Sequence, residues 1–393
     1  MTLDAIPSTK PLNVAIVGAG IIGNNHAKAL LRLCEVRISA VVDSDTEAGE
    51  TLAARIADET GSTPRRFGRL SEALADGDVD MIVICVPSGA HLAVAEEALA
   101  AGRHVVVEKP LDASLVAARH LAQLASAAVA RGQVFAVVSQ HRFDPASVAV
   151  AGAVAAGDLG RITSAVASVA WWRSQDYYDS AGWRGTWAQD GGGATMNQGV
   201  HTVDLLLWYL GEPVEVFAYT ATLAHERIEV EDVAVATVRF ASGALAVLHA
   251  TTAAYPGLAV RLAVHGSRGS AVIHDDQLEY LHVAGAARDD DMAHAGAPGG
   301  GDDTNQAAAA VPAAELRGGD RGPDSFVVGH LRQYRDVVDA INEQRSATLS
   351  ADDALLAVAV VKAMYVSAHL NCPISVAAML AGDYDDVLAA VEK

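Results

Sequence analysis

Between residues 12 and 142 short apolar runs alternate with longer amphipathic ones. LNVAIV, RISAVV, DMIVICV, HVVVEK and QVFAVV are separated by stretches at 21–33, 46–59, 90–101 and 113–131 whose apolar residues recur at helical spacing. The short runs are nearly unbroken Val and Ile, which suits strands covered on both faces. A doubly wound parallel sheet with helices on each side is therefore predicted for residues 1–142.

Beyond residue 143 β-prone segments follow one another at 161–172, 214–224, 230–240, 243–253 and 258–266, and are expected to pair antiparallel. The Ser-Gly step in ASGAL (241–245) is a hairpin signal. One helix, at 195–210 and ended by Gly211, interrupts the strands. Residues 143–393 thus read as an α+β domain with an open, largely antiparallel sheet. Its closing helices, near 325–344 and 352–369, are expected to pack back toward the first domain. Residues 284–324, rich in Ala, Gly and Asp without sustained periodicity, read as a surface loop of little chemical content. A chain of 393 residues also exceeds what one core usually supports, in keeping with two domains.

Composition narrows the class. A formal charge of −20 repels nucleic acid and anionic membranes. It could favour a cationic substrate, or be no more than a well-solvated surface. No uninterrupted apolar run is expected to cross a bilayer, and MTLDAIPSTK lacks the features of an export signal, so a soluble, cytoplasmic protein is expected. The three cysteines, Cys34, Cys85 and Cys372, are odd in number and widely spaced, which argues against a disulfide framework or a zinc site; no metal is expected.

The chemistry begins at VAIVGAGIIGNNHAKALL, where Gly18, Gly20 and Gly23 form G-x-G-x-x-G between a strand and a helix. The first glycine permits the tight turn, the second lets backbone approach a pyrophosphate, and the third lets helix pack on strand. Free N–H groups of the helix then face the phosphates. Gly18, Gly20, Ile21, Ile22 and Gly23 are the expected contacts. Asp43 ends the second strand 20 residues after Gly23, where a carboxylate can accept hydrogen bonds from a ribose. Ser44 and Asp45 follow it in place of an arginine, which favours NAD over NADP; Arg65 and Arg66 weigh the other way.

Further along, ICVPSGAH places Cys85, Val86 and Pro87 at the C-terminal end of a strand, where open α/β sheets hold ligands. His91 there is either a cofactor contact or a helix-start residue serving local backbone. HVVVEKP closes another buried strand with Glu108, Lys109 and Pro110, pointing the lysine into the crevice where a nicotinamide would lie.

In GGGATMNQGVHTVD, Asn197 and His201 are four apart and share a helical face, with Asp204 a turn further on as a structural residue. The glycines are expected to let a bound ring approach the helix closely. Oxidising an alcohol needs a hydride acceptor and a group that takes the hydroxyl proton; histidine and a lysine of lowered pKa both suit the second task. His201 could equally be a buried histidine bonded to a carbonyl. All five tryptophans lie between 171 and 208, and Arg173, Tyr177, Tyr178 and Arg184 among them could bind hydroxyls or a carboxylate.

Taken together, GAGIIG, EKP and GGGATMNQGVHTVD, with AEEALAAGRHVVVEKPLDAS, HRFDP and GHLRQYRDVVDAI, resemble the Gfo/Idh/MocA oxidoreductase family over residues 12 to about 372. The resemblance implies a Rossmann domain followed by an open-sheet domain, NAD or NADP as hydride carrier, and a sugar or cyclitol substrate. It also implies a homodimer or homotetramer formed through the open sheet. The family's lysine and histidine fall on Lys109 and His201, its Trp-Arg pair beside the nicotinamide on Trp183 and Arg184, and a substrate-side aromatic position on His330. Many members carry aspartate where this chain has Asn197, which puts more of the proton transfer on Lys109 and His201. The form WRGTW…GGG…MNQGVH is similar to the branch of sugar 3-dehydrogenases, which implies oxidation at a ring hydroxyl such as C3. Relatives that act as NAD-dependent glycosidases, or that bind NAD without turnover, are the alternatives.

Overall fold

The structure is a computed structural model that describes residues 10–284 and 305–392. Its first sheet holds β1 (Leu12–Val17), β2 (Val36–Val42), β3 (Arg65–Phe67), β4 (Met81–Ile84), β5 (His104–Val107) and β6 (Phe135–Val137), ordered 3-2-1-4-5-6. Every pairing is parallel. The strand order reverses between β1 and β4, which opens a crevice at the C-terminal strand ends. The Val and Ile of β1 and β4 are buried on both faces, as their unbroken apolar runs imply.

The second sheet holds β7 (Ile162–Ala170), β8 (Pro213–Ala221), β9 (Val233–Phe240), β10 (Leu245–Thr251), β11 (Val260–Gly266), β12 (Gly269–His274), β13 (Gln277–Val283) and β14 (Ile374–Ser375), ordered 13-12-11-7-10-9-8-14. The Ser-Gly step joins β9 and β10 as a hairpin. One pairing departs from the expected antiparallel pattern: β7 inserts between β10 and β11 and runs parallel to β10. Alternation along β9 and β10 buries one face and exposes the other, leaving Val166, Val235, Leu245 and Val247 on the open side.

The helices Val200–Leu210 and Ala351–Leu370 cover the buried face. Val358 and Leu206 belong to the same apolar cluster as Val105 and Val107 of β5, so the two halves share a core. Among the described residues Ala351–Leu370 is the one helix long and apolar enough, by length and composition, to cross a membrane, a match the apolar pattern had not led us to expect. It lies instead inside the fold, with Lys362 fully buried at its middle.

Of the stretch read as an inert loop, 285–304 lie outside the described residues. The remainder is not inert. Ala307 and Val311 are buried, Leu316 bridges to Leu278 of β13, and Glu315 and Arg321 enter a buried ion network.

Candidate functional site

The glycine turn has the shape the motif requires. Gly18 has φ +99°, and a Cβ there would stand 2.5 Å from the Cys85 carbonyl oxygen; a Cβ on Gly23 would stand 1.9 Å from the Gly18 oxygen. Gly20, at the N-cap of the helix Ile21–Leu30, faces open space, with no atom within 4 Å of a Cβ placed there. The turn therefore offers backbone N–H groups to an approaching anion, and a dinucleotide's phosphates fit it. Ile21 is exposed beside it. Asp43 accepts from the N–H groups of Ala19 (2.6 Å) and Asp45 (2.8 Å), which sets its carboxylate beside the turn, next to exposed Ser44. Arg65 is paired with Asp76 and Arg66 with Glu50 at the surface.

After β4, burial pushes the Cys85 thiol well above its usual range. His91 is not open to a ligand. Its ring nitrogens face the carbonyls of Pro110 (2.9 Å) and Val86 (3.1 Å), and burial lowers its pKa, so it ties together the loops after β4 and β5. The reading as a cofactor contact is corrected to a structural one. Pro87 begins the short turn Ser88–Ala90 that leads into the helix carrying His91.

Between the two sheets lies a cavity of about 330 Å³, in the range of small-molecule sites. Ile22, Glu108 and Lys109 line it from the first half, and Trp171, Arg173, Tyr177, Asn197 and His201 from the second; His330 enters from the helix Ser325–Glu343. Lys109 Nζ donates to the Asn197 carbonyl oxygen at 2.8 Å. Burial lowers the Lys109 pKa against the carboxylates of Glu108 and Asp190, with Arg173 and Arg184 adding to the lowering. Burial also holds His201 well below its ordinary value, helped by the charges of His141 and Lys109. His201 is thus a neutral imidazole, able to accept a proton.

The three glycines before this helix do not make room for a ligand. A Cβ on Gly191 would stand 2.5 Å from the Ala113 oxygen, on Gly192 2.2 Å from the Tyr365 hydroxyl, and on Gly193 1.7 Å from the Glu231 oxygen. They let protein approach protein. The chain then makes a wide π-helical turn over Ala194–Gly199 before the regular helix begins. The buried Glu231 carboxylate caps this turn, accepting from Gly193 and Thr195 N–H, each at 2.8 Å. Asn197 still faces the cavity with His201, and its Nδ2 donates to Asp190 at 2.9 Å. Burial raises Asp190 to about 6, against the Gly185 N–H and the charges of Arg184 and Lys109. A carboxylate therefore stands one hydrogen bond behind Asn197. Asp204 is structural as expected, gripping Arg142 with bonds of 2.8 and 2.6 Å.

Tyr178 is not brought to the cavity. It is buried behind the wall, bonded to Thr252 Oγ1 at 2.8 Å, and burial raises its hydroxyl to about 12; its neighbour Tyr177 takes the wall position. Arg173 packs on Trp171 and Tyr177, while Arg184 packs on Tyr177 and Trp183 and donates to the Tyr177 hydroxyl at 2.8 Å. Arg184 and Trp183 thus brace the wall.

Two clusters join histidines to carboxylates closely enough to suggest metal ligation: His26–Glu108–His330 and His141–Asp144–Asp276. The first is better read as a hydrogen-bonded group around Glu108, since burial lowers the His26 pKa, and the second as an ion-paired network. His26 is bonded to Tyr334 (2.6 Å) and Glu108 (2.8 Å), and the guanidiniums of Arg321 and Arg332 already sit on Asp144. Despite burial, Glu108 stays well below the usual carboxylate range because His26 and His330 face it. Burial opposes the charge on His141, yet Asp276 and Asp144 outweigh it and lift His141 to about 10. Its ring meets that of His201 edge to face at 4.9 Å.

His141, Asp276, Asp190 and Glu231 are the residues that sequence reasoning missed. His141 lies in the turn Gln140–Phe143, four residues past the C-terminal end of β6, so the strand-end rule that found Lys109 points to its neighbourhood. Asp190 directly precedes the three glycines and was legible in that stretch, whereas Asp276 and Glu231 are joined to the site only by long-range folding.

A glycine turn at a sheet switch point, facing a cavity that holds a buried lysine and a neutral histidine, defines a dinucleotide-dependent oxidoreductase. The family model for the oxidoreductase family, NAD-binding Rossmann fold, matches residues 12–136, and the GFO/IDH/MocA C-terminal domain matches residues 148–272. The chain belongs to the Gfo/Idh/MocA oxidoreductase family. The WlbA dehydrogenase from Bordetella pertussis, solved in complex with NADH and UDP-GlcNAcA, is 30% identical; the alignment covers 93% of this chain and 98% of that one, with a TM-score of 0.77. GenD2 from gentamicin A biosynthesis, in complex with NAD, is 28% identical, covering 95% and 99%, with a TM-score of 0.74. Inositol 2-dehydrogenase of Rhizobium meliloti (strain 1021) is 28% identical over 274 residues, 68% of this chain and 77% of its own length.

Proposed function

We propose that the protein is an NAD-dependent dehydrogenase acting on a ring hydroxyl of a sugar, sugar derivative or cyclitol, with C3 as the position reacting. The observation that carries this reading is the convergence of Lys109 and His201 on one cavity that also touches Ile22 of the glycine turn and Glu108. NAD, when bound, supplies the hydride acceptor. Gly18, Gly20, Ile21, Ile22, Gly23, Asp43 and Ser44 would hold its adenosine and phosphate portion, and Val86, Pro87 and Glu108 the approach to the cavity. Asp43 supports NAD over NADP.

Lys109 and His201 orient the reacting hydroxyl, and its proton passes to Lys109 Nζ or the His201 ring nitrogen, both kept receptive by their lowered pKa values. Asn197 fixes the lysine through its carbonyl and carries the influence of Asp190. Arg173 and His330 complete the substrate wall. The relatives support a sugar or cyclitol: one is an inositol 2-dehydrogenase and another was solved with a UDP-linked ligand. The exposed sheet face bearing Val166, Val235, Leu245 and Val247 is where a second copy would pack.

A screen of free sugars, cyclitols, aminosugars and nucleotide sugars with purified protein and NAD, followed by absorbance of the reduced cofactor, tests the reading. Turnover of at least one such compound is expected. Accumulation of NADH with none of them contradicts it.

A further inference from the structure

The cavity's second-domain wall carries cationic side chains that form no ion pair among the described residues, although the Asp190 carboxylate lies near enough to Arg184 to feel its charge. The acidic side chains around it are mostly engaged: Glu108 in a hydrogen bond with His26, Asp276 by His141 and Arg321, and Asp190 by the Gly185 N–H and the Asn197 amide. Asp275 lines the cavity, is exposed, and accepts the Val260 N–H. The nearby arginines Arg142, Arg321 and Arg332 are each tied to carboxylates. Arg173 and Arg184 are different. Among the described residues neither has an ion-pair partner, and the Nε of each is buried without a hydrogen-bond acceptor. In a chain of net charge −20 that is an unusual place to leave two cations.

These guanidiniums are also held rigid. The Arg173 backbone is pinned on both sides, its N–H bonded to Thr252 at 2.9 Å and its carbonyl facing His225 Nε2 at 2.8 Å. Its guanidinium lies 5.0 Å from the Trp171 ring centre and 5.1 Å from that of Tyr177, whose other neighbour is Arg184 at 4.3 Å. A planar fork fixed by stacking loses little freedom when it meets a planar anion, and an unsatisfied buried N–H gains most from an acceptor. Gln140 and Gln198, which line the same cavity, each have a buried amide oxygen without a partner, ready to accept from hydroxyls.

Building on the sugar dehydrogenase reading, we propose that the substrate carries a carboxylate, as a hexuronate or hexosaminuronate does, and that Arg173 receives it. Arg173 lines the cavity beside Trp171 and Tyr177 of the second half, whereas the glycine turn that suits the cofactor's phosphates belongs to the first, so the anion it meets is assigned to the substrate. Arg184 acts through Tyr177 and Trp183 as a positioning residue that keeps the fork in place.

The test uses matched pairs, glucuronate with glucose and UDP-glucuronate with UDP-glucose, titrated against the NADH-loaded protein by calorimetry and assayed for hydride transfer with NAD. The carboxylate should favour each acid over its neutral parent by about 10- to 100-fold, the worth of a charge-assisted hydrogen bond. Arg173→Gln should collapse that ratio, and Arg173→Lys, which keeps the charge and loses the fork, should fall between; a thermal melt confirms that each variant is folded. If acid and neutral forms bind alike, or UDP-glucose matches UDP-glucuronate and Arg173→Gln weakens both equally, the carboxylate assignment is overturned. Hydride transfer from the neutral sugars would in that case leave the dehydrogenase reading standing. Selective binding of the acids without hydride transfer would do the reverse.

Discussion

The ammonium of Lys109, just past the end of β5, donates to the main-chain carbonyl of Asn197, 88 residues further along, at 2.8 Å. With the Arg142–Asp204 pair, this bond joins the nucleotide half to the segment that carries His201. Lys109→Ala and His201→Ala should each lower turnover by about two to four powers of ten, as loss of a positioned acid-base group does, in steady-state assays with a turned-over sugar. Rates near wild type for both would remove these residues from the chemistry.

The charges around Lys109 set a pH response. A lysine whose pKa is lowered reaches its neutral form at lower pH, so the alkaline rise in kcat/KM for oxidation should have its midpoint below the ordinary lysine value of 10.5. Asp190 opposes that lowering. Asp190→Asn should therefore move the rise to still lower pH, measured as a full pH profile. An unmoved profile would show that Asp190 does not act on the lysine.

His141 influences both its neighbour and the fold. Its charge helps hold His201 neutral, so His141→Gln should raise the His201 pKa, seen by NMR titration of the ring signals. Because the folded pKa of His141 is raised from 6.5 to about 10, its contribution to stability is full below 6.5 and is lost as pH rises through about 10. Asp276, lowered from 3.8 to about 2, contributes above 3.8 and loses that contribution as pH falls through about 2. The melting temperature of the wild type should therefore drop between pH 6.5 and 10 more steeply than that of His141→Gln. Parallel curves would contradict the assignment.

Two glycines should respond in opposite ways. A Cβ at Gly193 collides with the Glu231 carbonyl, so Gly193→Ala should destabilise the protein by about 1–3 kcal/mol, as overpacking does. Gly20 faces open space, so Gly20→Ala should keep stability within about 1 kcal/mol while weakening NAD binding by about tenfold, roughly one lost backbone hydrogen bond. Thermal melts and calorimetric NAD titrations check the pair. Equal destabilisation of both would deny the proposed difference.

The nucleotide half was legible because its information is local. Buried parallel strands read as Val and Ile runs, and the glycine spacing and Lys109 sit at strand ends. The second sheet was less so, since hairpin logic pairs neighbours in sequence and cannot foresee β7 entering between β10 and β11. GGGATM misled for a physical reason: sequence shows that a side chain is missing but not what fills its place, here Ala113, Tyr365 and Glu231. Likewise Tyr177 and Tyr178 are indistinguishable in sequence, and only the fold decides which one meets the cavity. The ion network of Asp144, Asp276, Glu315 and Arg321 draws on three separate segments and left no local trace.

The most direct measurement is a crystal structure of the protein with NADH and a turned-over sugar. Lys109 Nζ and a ring nitrogen of His201 should both lie within hydrogen-bond reach, about 2.6–3.2 Å, of one substrate hydroxyl whose carbon faces the nicotinamide. A nicotinamide bound away from these two side chains, or a reacting hydroxyl that touches neither, would contradict the account.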